Sequence, residues 1–167
     1  MSDLDIRDVR AEDAPELAEL INAIIARGGT TAFEQPFTAE ALRDTYLIGP
    51  QMVSAVAAVD GTSGRIEGFQ ILGDFGDDLP EGVADIGTYV SVDGKQRGVG
   101  RALFAVTCAN ARAAGLDAIN ATIRADNVGG LTYYGKMGFI DHSVKPALPL
   151  TDGTAVERIC KRYALNG

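Results

Sequence analysis

From Leu17 to Ile25 the apolar side chains Leu17, Leu20, Ile21, Ile24 and Ile25 recur at i, i+3, i+4, i+7 and i+8, one stripe of an amphipathic helix. Asp13, Pro15 and Glu16 mark its start, with Asp13 and Glu16 at capping-box spacing, and Gly28-Gly29 ends it. A strand-like run, IRDV (6–9), precedes it. TTAFEQPFT reads as a loop, after which Thr38 can cap a shorter helix carrying Leu42, Tyr46 and Leu47. The period then changes to two. MVSAVAAV (52–59) and RIEGFQIL (65–72) form a hairpin through DGTSG, and ADIGTYVSV (84–92) follows an acidic loop, GDFGDDLPEG. A helix over 99–114 presents Leu103, Thr107 and Ala111 on one face, and Gly115 is placed to end it. LDAINATIRA is a strand with Ile119, Ala121 and Ile123 on one side. Asn127 can cap a last helix through Lys136, stopped by Gly138, and FIDHSV and AVERICKRYAL read as two final strands around a Pro-containing loop. The order β-α-α-β-β-β-α-β-α-β-β predicts an α+β fold, a mixed α/β sandwich on one central sheet.

Length and charge narrow the reading. With 167 residues and no repeat, low-complexity tract or linker, 1–167 is expected to be a single domain with one sizeable core. No apolar run is long enough to span a bilayer, and the acidic start MSDLDIRDVRAEDAPEL does not read as a signal peptide. Fifteen Lys and Arg against 23 Asp and Glu leave a net charge of −8, which argues against nucleic acid and suits a cationic small molecule. Cys108 and Cys160 lie in apolar patterns without metal-type spacing. Reduced core thiols, no metal site and a cytoplasmic location are therefore the expectations.

The segment KQRGVGRALF (95–104) sets two glycines between basic residues at the start of a helix. A dinucleotide fingerprint from Gly98 fails because Leu103 stands where the third glycine belongs. An NTPase-type phosphate loop from Gly94 fails because Val99-Gly100-Arg101 replaces Gly-Lys-Ser/Thr. A ligand-free strand-to-helix turn is the plain alternative. Against it, the amides of Gln96 to Gly100 would leave the turn where the helix dipole favours anions, and Lys95, Arg97 and Arg101 add charge. A diphosphate matches such a nest.

The stretch VSVDGKQRGVGRAL, followed by IRADN and YYGKMGF, resembles the GNAT superfamily of acetyl-CoA-dependent N-acetyltransferases over nearly the whole chain. The resemblance implies a mostly antiparallel, twisted central sheet of about six to seven strands, flanked by about four helices and splayed between the fourth and fifth strands. A bulge commonly provides such an opening. It also implies an acyltransferase with acetyl-CoA as co-substrate. Lys95, Gln96, Arg97, Gly98, Val99 and Gly100, with Arg101, would cradle the CoA pyrophosphate; Lys95 departs from the family's usual Arg or Gln at the first loop position. Backbone groups of Val90 would hold the acetyl carbonyl and pantetheine, and Val92 would continue that contact. Asn127 would reach the cofactor arm, and the Tyr134 hydroxyl would sit near the thioester sulfur. Tyr133, facing another direction on its helix, is expected to pack elsewhere.

Acetyl transfer needs a neutral amine, a polarised carbonyl and a proton for the departing thiolate. The Val90 amide is the candidate oxyanion donor and Tyr134 the candidate general acid. Asp85 and Glu34 are the candidate general bases, with His142, the only histidine, a weaker one. Direct attack in a ternary complex requires no covalent intermediate; a ping-pong route would use Cys108, whose place within a helix favours core packing instead. Asp74, Asp77 and Asp78 form an acidic cluster that is a solvated loop or a lure for an ammonium substrate. TTAFEQPFTAEAL, DIGTYVSV and IRADN are similar to the phosphinothricin and amino-acid N-acetyltransferase branch, which implies a small amine acceptor, amino-acid-like or otherwise cationic. A protein N-terminus or lysine is the alternative acceptor, and a non-catalytic acyl-CoA sensor the alternative class. No nucleic-acid or membrane partner is expected; a homodimer is compatible with the family.

Overall fold

In the computed structural model, which describes residues 3–76, 78–95 and 97–166, seven strands form one sheet. They are β1 (Leu4–Asp8), β2 (Met52–Asp60), β3 (Ile66–Gly73), β4 (Val83–Val90), β5 (Ala118–Arg124), β6 (Ile140–Pro149) and β7 (Ala155–Ala164), in the spatial order β1-β2-β3-β4-β5-β7-β6. The helices are α1 (Ala14–Arg27), α2 (Ala39–Leu42, widening into a π-helical turn over Arg43–Leu47), the single turn α3 (Val92–Lys95), α4 (Val99–Ala113) and α5 (Val128–Met137). None of the described helices is long and apolar enough to cross a membrane. Asp77 and Gln96, named above for the acidic cluster and the glycine loop, lie outside the described residues.

Each face of the sheet buries one of the predicted stripes. Leu17, Ile21 and Ile25 of α1 pack with Phe69 and Ile71 of β3 on one face. On the other, Ile119, Ala121 and Ile123 of β5 meet Phe104, Cys108 and Ala111 of α4 and Tyr134 of α5. Burying a side chain of the Leu, Ile or Phe kind stabilises the fold by about 1.5–3 kcal/mol. Every residue of β3 is buried, as expected for a strand covered on both faces.

Three local expectations are corrected. The capping box at Asp13 and Glu16 does not form. A 3₁₀ turn, Ala11–Asp13, comes first, and the Asp13 carboxylate accepts from the Arg10 amide at 2.7 Å while pairing with Arg7 at 2.8 and 2.9 Å. Glu16 instead accepts from the Ile66 amide at 2.7 Å, tying α1 to the start of β3. The third predicted β run stops at Val90, because Ser91 to Lys95 close a helical turn through Lys95 N–H to Ser91 C=O. The strand predicted at FIDHSV runs on to Pro149 and carries Pro146 inside it, on an edge strand that tolerates a missing donor.

All neighbouring strands run antiparallel except β4 and β5. Those two pair in parallel only from Val83–Asp85 to Ala118–Asn120, and Ile86–Val90 and Ala121–Arg124 then diverge. The opening arises without a bulge in β4, whose register with β3 is unbroken from Asp85 to Val90.

Candidate active site

At one end of the opening, α4 begins on bare backbone. Gly98 takes a left-handed conformation (φ 75°, ψ 24°) that favours glycine, and it supplies no side-chain cap. The first amides of α4 have no partner within the helix and point out of its N-terminus. Gly98, Gly100, Arg101 and Lys95 line the cleft there, whereas Arg97 turns away to Asp60 at 3.6 Å. The second glycine has a different cause: a Cβ on Gly100 would stand 2.7 Å from the Tyr133 ring.

Backbone also lines the slot. Ser91 N–H donates to Glu67 C=O, which fixes the alternation of the β3–β4 ladder. By that alternation the peptide groups of Ile86, Thr88 and Val90 face away from β3, toward the gap left by β5. A polar network fills the wedge. Tyr133 donates to the Gly100 carbonyl at 2.7 Å and therefore accepts from Gln70 Nε2 at 3.2 Å. The same amide donates to Thr88 Oγ1 at 2.9 Å, and Thr88 Oγ1 lies 2.8 Å from the Tyr134 hydroxyl. Thr88 accepts from Gln70 and keeps a second lone pair as well as its own proton, so its bond to Tyr134 can run in either direction; with Thr88 as donor, the proton of Tyr134 is left for the cleft. Burial pushes the Tyr133 phenol up to about 12 and holds Tyr134 well above the ordinary phenol value, so both are protonated at neutral pH.

Beyond the slot, on the α1–α2 side, the cleft widens into a chamber. Phe33, Tyr46 and Phe75 form an edge-to-face wall, with ring centroids 5.5 and 5.1 Å apart in succession. Asp85, 6% exposed, sits where the strands part and accepts from Asn120 Nδ2 at 2.7 Å; Arg162 holds the Asn120 carbonyl oxygen at 2.8 Å. The loop after α1 is drawn over the chamber by Arg124 donating to the Thr31 carbonyl (3.1 Å) and Asn127 to the Thr30 carbonyl (2.9 Å). The whole cleft, about 910 Å³, passes from the α4 N-terminus to the aromatic wall.

These observations sort the candidate residues. Val90, Lys95, Gly98, Gly100, Arg101, Asn127, Tyr134 and Asp85 all line this cleft. Val99 is fully buried behind it with Val56, Ala58 and Leu103. Asn127 also caps α5, accepting from the Gly130 amide at 2.9 Å. Val92 is half exposed and lines a separate cavity of about 720 Å³ beside α1. Glu34 is exposed and accepts from the Thr151 amide (3.0 Å) and hydroxyl (2.8 Å) in the β6–β7 turn, outside the cleft. His142 is exposed on β6, also outside it, as are Asp74 and Asp78. Tyr133 does not pack elsewhere: it meets Tyr134 edge-on at 4.9 Å, because α5 lies over the slot with both rings turned into it. Gln70, Thr88, Asn120, Arg124 and Arg158 went unnoticed in the sequence. For β5 the signal was present, since Asn120, Thr122 and Arg124 alternate with the apolar Ile119, Ala121 and Ile123.

No protein-family model and no curated protein matches the chain. Solved structures do. A GCN5-related N-acetyltransferase from Kribbella flavida is 25% identical, with 96% of this chain and 97% of that one covered at a TM-score of 0.81. This is the GNAT fold. A GNAT superfamily phosphinothricin acetyltransferase from Sinorhizobium meliloti, solved in complex with acetyl-CoA, is 20% identical over 99% of this chain and 90% of that one, with a TM-score of 0.82. A ribosomal-protein-alanine N-acetyltransferase from Brucella melitensis is 18% identical over 96% and 99%, with a TM-score of 0.78. The likeness to the GNAT fold covers 96% of this chain, and the parted β4 and β5 agree with it.

Proposed function

We propose that this chain is an acetyl-CoA-dependent N-acetyltransferase that acts on the amine of a small, amino-acid-like acceptor by direct attack in a ternary complex. One observation carries the reading: a single cleft joins an uncapped helix N-terminus, a slot edged by strand peptide groups, and a chamber on the far side of the sheet. Two substrates entering from opposite faces can meet there without a covalent intermediate. Cys108 has no part in it, since burial in α4 pushes its thiol up, away from the reactive thiolate.

The residues fit acetyl-CoA at several points. The amides that open α4, with Lys95 and Arg101, suit a diphosphate, and glycine at 98 lets the backbone approach it closely. When bound, acetyl-CoA supplies an activated acyl group with a thiolate leaving group. The Val90 amide donates to the carbonyl oxygen as negative charge grows there. Tyr134 gives its proton to the sulfur as the C–S bond breaks. Asp85, fixed by Asn120, receives the proton lost by the amine, directly or through water. Glu34 is not in a position to do so, being held at the β6–β7 turn.

A small acceptor is favoured over a protein N-terminus or lysine by the loop tied across the chamber through Thr30 and Thr31. The protonated tyrosine and the buried Asp85 favour an enzyme over a passive acyl-CoA sensor. Free, buried Cys108 and Cys160 suit a reducing compartment such as the cytoplasm. Exposed Ile140, Val144 and Leu148 along the edge strand β6 support a homodimer.

Calorimetric titration with acetyl-CoA, using NAD and ATP as controls, tests the cofactor assignment. Acetyl-CoA alone should bind, and Gly98→Glu should abolish binding in a folded protein. Gly98→Ala, which shares the backbone strain without the charge, should retain much of it. Undiminished binding in Gly98→Glu would defeat the diphosphate assignment. Tyr134→Phe should lower turnover by roughly 10²-fold or more while acetyl-CoA affinity changes little; equal turnover would remove Tyr134 as the acid.

A further inference from the structure

The chain is acidic, yet its cleft is not. Among the described residues, the charged side chains lining it are Lys95, Arg101, Arg124, Lys136 and Arg158 against the single carboxylate Asp85. Lys95 and Arg101 stand at the diphosphate end. Arg124 and Arg158 have another origin and are directly opposite one another in the β5–β7 ladder. Lys145 of β6 stands opposite Arg158 in turn, so three cations form one row across three strands. Directly opposed like charges weaken a sheet. A departure of this kind from local rules is expected where function demands it.

The register states which side of the sheet the row occupies. Ile119, Ala121 and Ile123 face α4 and α5, so Asn120, Thr122, Arg124 and their cross-strand partners face the α1–α2 side. That is the acceptor chamber. Arg124 is committed: it holds Asp126 at 2.9 and 2.7 Å and the Thr31 carbonyl at 3.1 Å, and Glu34 and Asp152 lie within its electrostatic reach. Arg158 is not. It lines the cleft, and its Nε is buried with no acceptor among the described residues. A guanidinium keeps its charge throughout the physiological range and offers a planar fork that matches a carboxylate. A buried donor without a partner is costly, and an anionic ligand relieves it.

We infer that Arg158 seats the carboxylate of the acceptor, making the acceptor an amino acid in preference to a polyamine or a simple alkylamine. Asp85 then serves the amine on the same side of the sheet, and the wall of Phe33, Tyr46 and Phe75 receives an apolar side chain. The inference rests on the transferase reading for the chemistry, but the anion seat is measurable without turnover.

The test compares amino acids with their decarboxylated partners, phenylalanine with phenethylamine and leucine with isoamylamine among them, on wild type, Arg158→Met and Arg158→Lys. Binding is followed calorimetrically on the protein saturated with CoA, and acetylation by thiol release. Wild type should prefer the acid over its amine by roughly 10- to 100-fold, the worth of a charge-assisted pair. Arg158→Met keeps the apolar stem and relieves the cationic row, so it should fold at least as stably. It should lose that preference through a raised KM for the acid, with the KM for acetyl-CoA unchanged. Arg158→Lys, charged but without the fork, should restore part of it. The inference is overturned if no acid binds better than its amine, or if Arg158→Met leaves the preference intact. Failure of wild type to bind CoA or acetyl-CoA would instead sink the transferase reading, and titration of the acids into the protein alone would still decide the seat.

Discussion

In the proposed mechanism Tyr134 depends on a neighbour that no motif contains. A tyrosine can give its proton to sulfur only if that proton is not already spent on a protein acceptor. Gln70 Nε2 and the Tyr134 hydroxyl both meet Thr88 Oγ1, and the arrangement in which Thr88 donates to Tyr134 leaves that proton for the sulfur. The Thr88 bond also works against burial, which alone would drive the Tyr134 phenol higher still. Thr88→Val removes the hydroxyl at nearly constant volume. It should lower kcat by roughly 10- to 100-fold with little change in the KM for acetyl-CoA, and Thr88→Ser should recover most of the loss. Steady-state kinetics decide it: an unchanged kcat, or a serine variant no better than valine, removes Thr88 as the positioning residue. The motif YYGKMGF pointed to Tyr134, but Thr88 and Gln70 lie far off in the chain, so no local spacing links them to it.

At the level of single elements, α1 shows how a start signal can be right while its bonding is not. Asp13 and Glu16 do mark the helix start, yet each carboxylate is used elsewhere, Asp13 on Arg7 and Arg10 and Glu16 on Ile66. Capping spacing records which backbone donors are near along the chain; it does not include a donor brought in from another strand. The hydrogen bond to Arg7 holds the Asp13 carboxyl below its usual range. A carboxylate lowered in this way stabilises the fold above its unfolded value near pH 4, and the contribution is lost as pH falls through the folded value. Asp13→Asn should therefore cost about 1–3 kcal/mol at pH 7 and progressively less toward acid. Thermal melts of both proteins at pH 7 and pH 3 measure it, and a gap that widens at pH 3 would contradict the assignment.

Across the full assembly of elements, the net charge and the local charge have opposite signs. The total of −8 pointed to a cationic partner, whereas the charged side chains that line the cleft, among the described residues, are mostly cationic. Sums over a sequence describe the far field; strand order decides what a bound molecule meets. The outer strand β6 carries Ile140 and Val144 at 71% and 60% exposure, on an edge with unpaired backbone. For a homodimer built on this edge, sedimentation should give twice the 17.5 kDa chain mass, and Val144→Glu should return the monomer. A monomeric wild type would rule that dimer out.

Periodicity placed most helices and strands and the faces they bury, and the two glycines of KQRGVGRALF the bare-backbone start of α4, because these depend on neighbours within a turn or a pleat. The parting of β4 and β5, the two tyrosines in one slot, Glu34 at the rim and Arg158 opposite Arg124 depend on the strand order β4-β5-β7-β6. That order joins segments tens of residues apart, and the side chains that meet across it leave no trace in local spacing.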